Sequence, residues 1–167
     1  TAFLLGLPLA FVTGRPKELV DFSIAAWGDL GTALAGIELA VQGEEHLWSE
    51  RPAVFIFNHQ SALDVLLLCK LLRRDFVGVA KQELRRVPLL GTAARLLGTV
   101  FIDRANSKSA IRALQPAVDA LRRGTSLAIA PEGTRTPTPR LAPFKKGAFH
   151  MAMQARVPIV PIVIKNA

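Results

Sequence analysis

Residues 53–68 read AVFIFNHQSALDVLLL, a strand pattern joined to a helix pattern by one short polar turn. The run at 53–57 has the length and the β-branched and aromatic content of a buried strand. The leucine-rich run that follows is typical of a buried helix, which we place at about 62–73. His59 and Asp64 therefore fall on a strand-to-helix turn, where open α/β sheets bind their ligands.

The spacing of His59 and Asp64 permits a catalytic pair. His59 precedes the predicted helix, so Asp64 in its first turn can point back and accept a hydrogen bond from one imidazole nitrogen. That bond would fix the tautomer and leave the other nitrogen as a general base. The alternative is a structural turn in which Ser61 caps the helix, Asp64 completes a capping box and His59 is a polar loop residue. Taken alone, the turn favours the structural interpretation.

The length and composition indicate one domain with a substantial hydrophobic core. The chain has 167 residues, of which 50% are hydrophobic, and the mean hydropathy is +0.31. No run reaches the roughly 18 apolar residues of a membrane-spanning helix. The single cysteine, Cys69, excludes an internal disulfide, and no zinc pattern is present. Because the chain begins at Thr1 and ends directly after an apolar run, we expect a fragment of a longer protein.

Charge is distributed unevenly around a net value of +8. Residues 1–69 carry 3 basic and 8 acidic side chains, whereas residues 70–146 carry 16 basic and 5 acidic ones. The basic block indicates an anionic partner, which is a phosphate, a phospholipid surface or a nucleic acid, unless it is only a solvated face. Nucleic acid ranks last because tyrosine is absent and most phenylalanines lie in apolar runs rather than among the basic residues.

Strand and helix patterns alternate along the chain, which predicts an α/β fold with a mixed, largely parallel sheet flanked by helices. We divide the chain into an apolar helical membrane-associating segment at 1–36 and an α/β domain at 37–167. Within the first segment, residues 19–36 form a helix that either dips into one leaflet or packs on the core, and the sequence supports both equally. Further strands are predicted at 37–43, 76–80, 99–102, 126–130 and 158–164. Further helices are predicted at 82–97 in two pieces split at Pro88, at 106–123 with Pro116 inside, and at 147–156.

Polar clusters follow three of the predicted strands. They are His59 to Asp64, Asp103-Arg104 and Glu132-Gly133-Thr134-Arg135, and Lys81 follows a fourth strand. Parallel neighbours would bring these ends to one edge of the sheet, where a base would lie beside cations suited to phosphate oxygens. Each cluster also has a structural explanation, as a turn or as a surface ion pair. The fingerprints of dinucleotide, P-loop and serine-hydrolase sites are absent from the sequence.

Four ordered motifs carry a family resemblance over residues 37–164. They are N-H-x-S-x-x-D at 58–64, F-I-D-R at 101–104, P-E-G-T-R at 131–135 and V-P-I-V-P at 157–161. Two supporting patterns are K-x-E-L-x-x-x-P-x-x-G from Lys81 and F-K-x-G from Phe144. On these residues the chain resembles the glycerolipid acyltransferases typified by 1-acyl-sn-glycerol-3-phosphate acyltransferase. The resemblance implies direct acyl transfer from acyl-CoA, or from acyl carrier protein, to a glycerol hydroxyl.

The resemblance also implies roles for individual residues. His59 would be the general base and Asp64 would orient it. The substrate-binding residues would be Arg104 and Arg135 at the acceptor phosphate, Lys81 as a third contact, Glu132 at the glycerol, and Gly133 and Thr134 in the same turn. No metal and no cofactor are expected, since acyl-CoA or acyl carrier protein is a co-substrate.

These features lead to one main functional expectation and its alternatives. We expect lysophosphatidic acid to be acylated to phosphatidic acid by a membrane-associated enzyme on the cytoplasmic face, which contacts anionic phospholipid and no nucleic acid. One alternative is the same chemistry on another lysophospholipid or on glycerol-3-phosphate. The other is a non-catalytic domain that binds anionic lipid.

Overall fold

Five strands follow the predicted order along the chain. The computed structural model describes residues 16–88, 90–102, 114–136, 138 and 140–166. The strands are β1 (Val54–Phe57), β2 (Phe76–Lys81), β3 (Val100–Ile102), β4 (Ser126–Ile129) and β5 (Ile159–Ile162). The predicted segment before residue 16 lies outside the described residues.

Helices occupy most of the connections between the strands. The longer ones are α1 (Pro16–Leu34), α3 (Leu63–Leu72), α4 (Leu90–Leu96), α5 (Gln115–Arg122) and α6 (Gly147–Ala155). A single turn, α2 (His46–Ser49), precedes β1, and a 3₁₀ helix (Gln82–Arg86) follows β2. Pro88 separates this 3₁₀ helix from α4, as the sequence predicts.

The strands form one sheet in the order β3-β2-β4-β1-β5. Every pair is parallel, with Phe55 of β1 opposite Ala128 of β4 and Val160 of β5. The expectation of a mixed sheet is therefore wrong for the described strands, while the α/β assignment is confirmed. Because all strands run the same way, their carboxyl ends share one edge, and β1 is covered by a neighbour on each side.

Each face of the sheet has its own apolar core. One core joins alternate strand residues to α3 and α1, and it includes Phe55, Phe57, Val160, Leu68, Leu72 and Ile24. The opposite core joins the intervening residues to α5 and α6, and it includes Val54, Leu127, Ile129, Val118, Leu121 and Met151. The period-2 alternation of side chains in the strands thus separates the two helix layers.

Helix α1 packs on α3 through its smallest residues. A Cβ added to Gly28 would lie 2.4 Å from the backbone nitrogen of Lys70, and one added to Gly31 would lie 2.5 Å from Leu66. The side chains of Trp27 and Leu30 are about half exposed. The helix is therefore packed on the core, as one of the two interpretations held, but most of its large apolar residues face away from the contact.

Two predicted elements differ from the structure. Residues 37–43 alternate in polarity but form no strand, since no described strand pairs with them; Ile37 and Leu39 instead pack as loop residues on the core. The predicted helix at 106–123 is described only from Leu114, so its first part lies outside the described residues. Pro116 falls in the first turn of α5, where the missing N–H costs no hydrogen bond, rather than inside a helix.

Among the helices that the structure describes, none combines the length and apolar character needed to cross a bilayer.

Candidate active site

The turn after β1 brings His59 and Asp64 into direct contact. Nδ1 of His59 lies 2.8 Å from Oδ2 of Asp64. The same carboxylate oxygen accepts the backbone N–H groups of Gln60 and Ser61, at 2.8 and 2.9 Å. An oxygen that accepts two amide protons acts as an acceptor toward the imidazole too, so Nδ1 carries the proton and Nε2 is left as a base. Asp64 is 1% exposed, whereas the His59 side chain is 24% exposed.

The predicted capping role of Ser61 is only partly correct. Asp64 accepts the N–H of Ser61, which is one of the two bonds of a capping box, but the hydroxyl of Ser61 accepts the N–H of Leu63 rather than that of Asp64. The helix nevertheless begins at Leu63, and the residue in the cap position is Ala62, whose side chain offers no acceptor. Asp64 thus serves the turn and the imidazole at once, so the catalytic and structural interpretations of this motif are compatible.

Asn58 fixes the turn to the chain that follows β5, the neighbouring edge strand. Its amide nitrogen donates to the carbonyl of Ile164, and its amide oxygen accepts the N–H of the same residue, both at 2.8 Å. This pair joins the chain after β1 to the chain after β5. The sequence motif included Asn58 but suggested no role for it, because its partner lies 106 positions away.

Glu132, at the end of β4, holds the histidine turn from its other side. Oε1 accepts the backbone N–H of His59 at 3.1 Å, and Oε2 accepts the Thr136 hydroxyl and the Ala142 N–H, both at 2.8 Å. Burial raises the pKa of this carboxyl, but the hydrogen bonds from Ala142, His59 and Thr136 outweigh it, so the pKa lies below its ordinary value. Glu132 is ionised at neutral pH and is only 3% exposed.

The sheet topology explains why these two turns meet. Strand β4 lies between β1 and β2, and the helix after β4 covers the opposite face from the helix after β1. Neighbouring loops that leave toward opposite faces open a crevice at the carboxyl ends of their strands. The turn at 131–136 lies in this crevice, directly beside His59.

Gly133 provides space for a lysine at the crevice. Its φ is +76°, a conformation that favours glycine. A Cβ at this position would lie 2.8 Å from both Cε and Nζ of Lys145, so the lysine side chain covers the glycine. The N–H of Lys145 donates to the carbonyl of Pro131. Lys145 belongs to the F-K-x-G pattern, which identified the residue but gave it no role.

The remaining predicted binding residues are exposed at the sheet edge or lie outside the described residues. Lys81 ends β2 at the same sheet edge, and Thr134 and Arg135 follow Gly133; all three are exposed. In the described part of the chain, neither Lys81 nor Arg135 forms an ion pair. Arg104, with Asp103, lies outside the described residues. The structure thus brings His59, Asp64 and Glu132 together and leaves Lys81 and Arg135 accessible at the same edge.

Two cavities border the crevice, and Pro131 lines both. One has a volume of about 530 Å³, and its lining combines apolar residues such as Val79, Ile129 and Met151 with Lys145, Lys146 and His150. The other, of about 410 Å³, adjoins Asn58 and Gln60, the neighbours of His59 in the chain. Largely apolar cavities of this size with a few polar groups are typical of small-molecule sites.

Cys69 is unsuited to act as a nucleophile. It lies within α3 and is buried, and burial raises the pKa of its thiol to about 12. At neutral pH the thiolate, which is the reactive form, is therefore scarcely populated. This agrees with the expected direct transfer, which requires no acyl-enzyme.

A comparison with known families identifies the family of this chain. Residues 38–165 match the family model described as Acyltransferase. The chain belongs to this family. The resemblance carried by the four motifs is therefore confirmed.

Individual relatives agree with this assignment. The chain is 40% identical over 136 residues to the 1-acyl-sn-glycerol-3-phosphate acyltransferase of Saccharomyces cerevisiae, an alignment that covers 80% of this chain and 45% of that protein. It is 41% identical over 164 residues to the human 1-acyl-sn-glycerol-3-phosphate acyltransferase alpha, covering 98% and 58% of the two chains. The acyltransferase chain thus spans about half the length of these curated relatives.

A solved structure shares the fold. The 1-acyl-sn-glycerophosphate (LPA) acyltransferase PlsC of Thermotoga maritima superposes with a TM-score of 0.71 at 26% identity. The match covers 96% of this chain and 70% of the other.

Proposed function

We propose that this chain carries the catalytic site for transfer of a fatty acyl group from acyl-CoA to the free hydroxyl of lysophosphatidic acid, giving phosphatidic acid. The observation that carries the proposal is the 2.8 Å contact between His59 and Asp64 at the crevice of an acyltransferase-family sheet. The names of the curated relatives support lysophosphatidic acid as the acceptor. Acyl carrier protein is the alternative donor.

The chemistry follows from the free Nε2 of His59. This nitrogen takes the proton from the acceptor hydroxyl as its oxygen attacks the thioester carbonyl. Asp64 keeps the proton on Nδ1 and stabilises the imidazolium that forms. When the carbonyl re-forms, the carbon–sulfur bond breaks, and the imidazolium returns the proton to the departing thiolate. An ester and free CoA result, and His59 is again neutral.

Cationic side chains suit the acceptor phosphate. We assign phosphate binding to Arg135 and Arg104, with Lys81 as a third contact. A guanidinium can donate two parallel hydrogen bonds to phosphate oxygens. Gly133 and Thr134 shape the turn that presents Arg135. The exposure of Lys81 and Arg135 is compatible with a ligand that arrives from solvent or from a membrane.

Binding to anionic membrane surfaces would concentrate the lipid acceptor. The block 70–146 carries 16 basic against 5 acidic side chains, and each lysine or arginine near an anionic surface contributes about 1 kcal/mol. Exposed apolar side chains of α1, among them Trp27, Leu30 and Leu34, provide an interfacial face. We therefore place the protein on the cytoplasmic face of a membrane.

The test is acceptor-dependent thiol release from oleoyl-CoA by the detergent-solubilised protein. Lysophosphatidic acid, glycerol-3-phosphate and lysophosphatidylinositol are compared, with His59→Ala as the inactive control. Release that requires lysophosphatidic acid and disappears in the variant supports the proposal. Release with only another acceptor replaces the substrate. If no acceptor supports release while vesicles of phosphatidic acid still bind, the protein is a lipid-binding domain.

A further inference from the structure

We propose that Glu132 and Thr136 form a brace that positions His59, and that Thr136 is a positioning residue of the catalytic site. This inference rests on the proposed function of His59 as a general base. It gives a role to a threonine outside the P-E-G-T-R motif, and it replaces the expected contact of Glu132 with glycerol by a contact with the backbone N–H of His59.

The brace is a closed ring of hydrogen bonds. Glu132 accepts the backbone N–H of His59 at 3.1 Å, and Thr136 donates its own N–H to the His59 carbonyl at 2.8 Å. The Thr136 hydroxyl closes the ring by donating to the second oxygen of Glu132 at 2.8 Å. Both backbone groups of His59 are therefore held by one five-residue turn that comes from a different strand.

This arrangement determines where Nε2 lies. With the backbone fixed on both sides of its Cα, His59 retains only its two side-chain torsions, and the bond from Nδ1 to Asp64 restrains these. The imidazole therefore has one position relative to the crevice. A displacement of about 1 Å in a reacting group can reduce turnover about a hundredfold, so a brace of this kind affects turnover without contacting substrate.

Glu132 is poorly placed for a substrate contact. It is 3% exposed, and each of its oxygens already accepts at least one hydrogen bond from the protein. A carboxylate whose oxygens face only donors is also intolerant of an amide, since Glu132→Gln would direct an NH₂ group at an N–H or O–H group. Thr136 is easier to change, because valine keeps its shape and its backbone N–H and removes only the hydroxyl.

The experiment compares Thr136→Val and Thr136→Ser with Thr138→Val as the matched control. Thr138 lies two residues further along the same loop with an exposed side chain. Steady-state kinetics give kcat and the KM of both substrates. Hydrogen exchange of the His59 amide, measured by NMR in the full chain, reports on the brace independently of activity, and circular dichroism monitors folding.

We expect Thr136→Val to lower kcat about tenfold. The loss of the hydrogen bond to the charged Glu132 loosens the turn that holds His59 in its reactive position. The KM values should stay within about twofold of those of the wild type, and the His59 amide should exchange faster. Thr136→Ser should restore both kcat and protection, and Thr138→Val should match the wild type.

A raised acceptor KM with unchanged kcat would make Thr136 a substrate contact and overturn the brace. Unchanged kcat and unchanged exchange would overturn it as well. If the wild type transfers no acyl group, the proposed function fails, but the exchange measurement still decides the brace. Faster exchange of the His59 amide in Thr136→Val then supports the brace, and unchanged exchange contradicts it.

Discussion

The histidine turn (residues 58–64) and the basic rim (Lys81, Arg135 and Lys145) share one sheet edge but are held in opposite ways. In the turn, hydrogen bonds fix the backbone N–H of His59, its Nδ1 and the Asp64 oxygen that meets it, and Asp64 is almost fully buried. The three cations of the rim are exposed. A general base must be positioned before the reaction begins, whereas an exposed cation can adjust when its anion binds. The hydrogen bonds at this sheet edge therefore surround His59 rather than the cations.

The largest expected effect separates catalysis from stability within the histidine turn. His59→Ala should reduce turnover about a thousandfold, since it removes the general base. The free energy of unfolding should fall by only about 1–2 kcal/mol, because the side chain is partly exposed and loses an edge-to-face contact with Phe57 and one hydrogen bond to Asp64. Thiol-release kinetics and urea unfolding measure the two quantities. His46→Ala, an exposed histidine on α2, is the control and should leave both unchanged. Wild-type turnover in His59→Ala would remove His59 from the mechanism.

Substitutions of Asp64 should lower both turnover and the free energy of unfolding, by amounts that depend on the substitution. Because one oxygen of Asp64 meets both backbone N–H groups and Nδ1 of His59, the amide oxygen of Asp64→Asn can keep all three contacts, but it lacks the negative charge that stabilises the imidazolium. We expect turnover to fall about a hundredfold or more with a loss of roughly 1 kcal/mol in stability. Asp64→Ala leaves two N–H groups without an acceptor and should cost about 2–3 kcal/mol. Equal stability losses in the two variants would show that the backbone bonds contribute little.

A change in the basic rim should affect binding rather than folding. Arg135→Ala should raise the KM of lysophosphatidic acid about tenfold, corresponding to about 1.4 kcal/mol of lost phosphate contact, and leave the KM of acyl-CoA unchanged. Stability should stay within about 0.5 kcal/mol because the side chain is exposed. Arg140→Ala, on the same loop, is the control. If both substrates lose affinity equally, Arg135 does not distinguish acceptor from donor.

The buried carboxylate between the two regions should make stability depend on pH. The folded pKa of Glu132 is below the ordinary value of 4.5, so its contribution is complete above pH 4.5 and is lost as the pH falls through the folded pKa. The wild type should therefore exceed Glu132→Gln in unfolding free energy by more at pH 6 than at pH 3.5. Urea unfolding at both pH values measures the difference. A constant difference would mean that the charge itself is unimportant.

The smallest effect is expected at Cys69. Because its thiol is buried and has a pKa of about 12, iodoacetamide should not modify the folded protein at pH 8 but should modify it in urea. Cys69→Ala should keep turnover within about twofold, since the transfer uses no thiol nucleophile. Loss of turnover in this variant without loss of folding would require an acyl-enzyme.

Local patterns in the sequence were sufficient to place the histidine turn between a strand and a helix, although taken alone they favoured a structural role for its polar residues. The strand at 54–57, the helix at 63–72 and the His59–Asp64 contact follow from apolar runs and a five-residue spacing, all within one continuous segment. The order of the strands and their polar ends followed in the same way. The family motifs added the acyltransferase family, because they fix residue types at the ends of strands.

Contacts between distant segments were beyond the reach of these patterns. Trp27 and Leu30 are large apolar residues of the predicted helix at 19–36, yet α1 packs on α3 through Gly28 and Gly31. Glycine at 28 allows the two backbones to approach closely, and glycine at 31 leaves room for the Leu66 side chain. The alternation at 37–43 suggested a strand, but a strand exists only where a neighbour accepts its hydrogen bonds.

The sequence by itself determined the alternation of strands and helices, the acyltransferase family and the predicted pairing of His59 with Asp64, whereas the structure showed that all described strand pairs are parallel. The tertiary structure alone decided that Glu132 and Thr136 hold the backbone of His59, and that Lys145 covers Gly133. The physical reason is the distance along the chain. Glu132 and Thr136 are 73 and 77 positions from His59, and they meet it only because β4 pairs with β1.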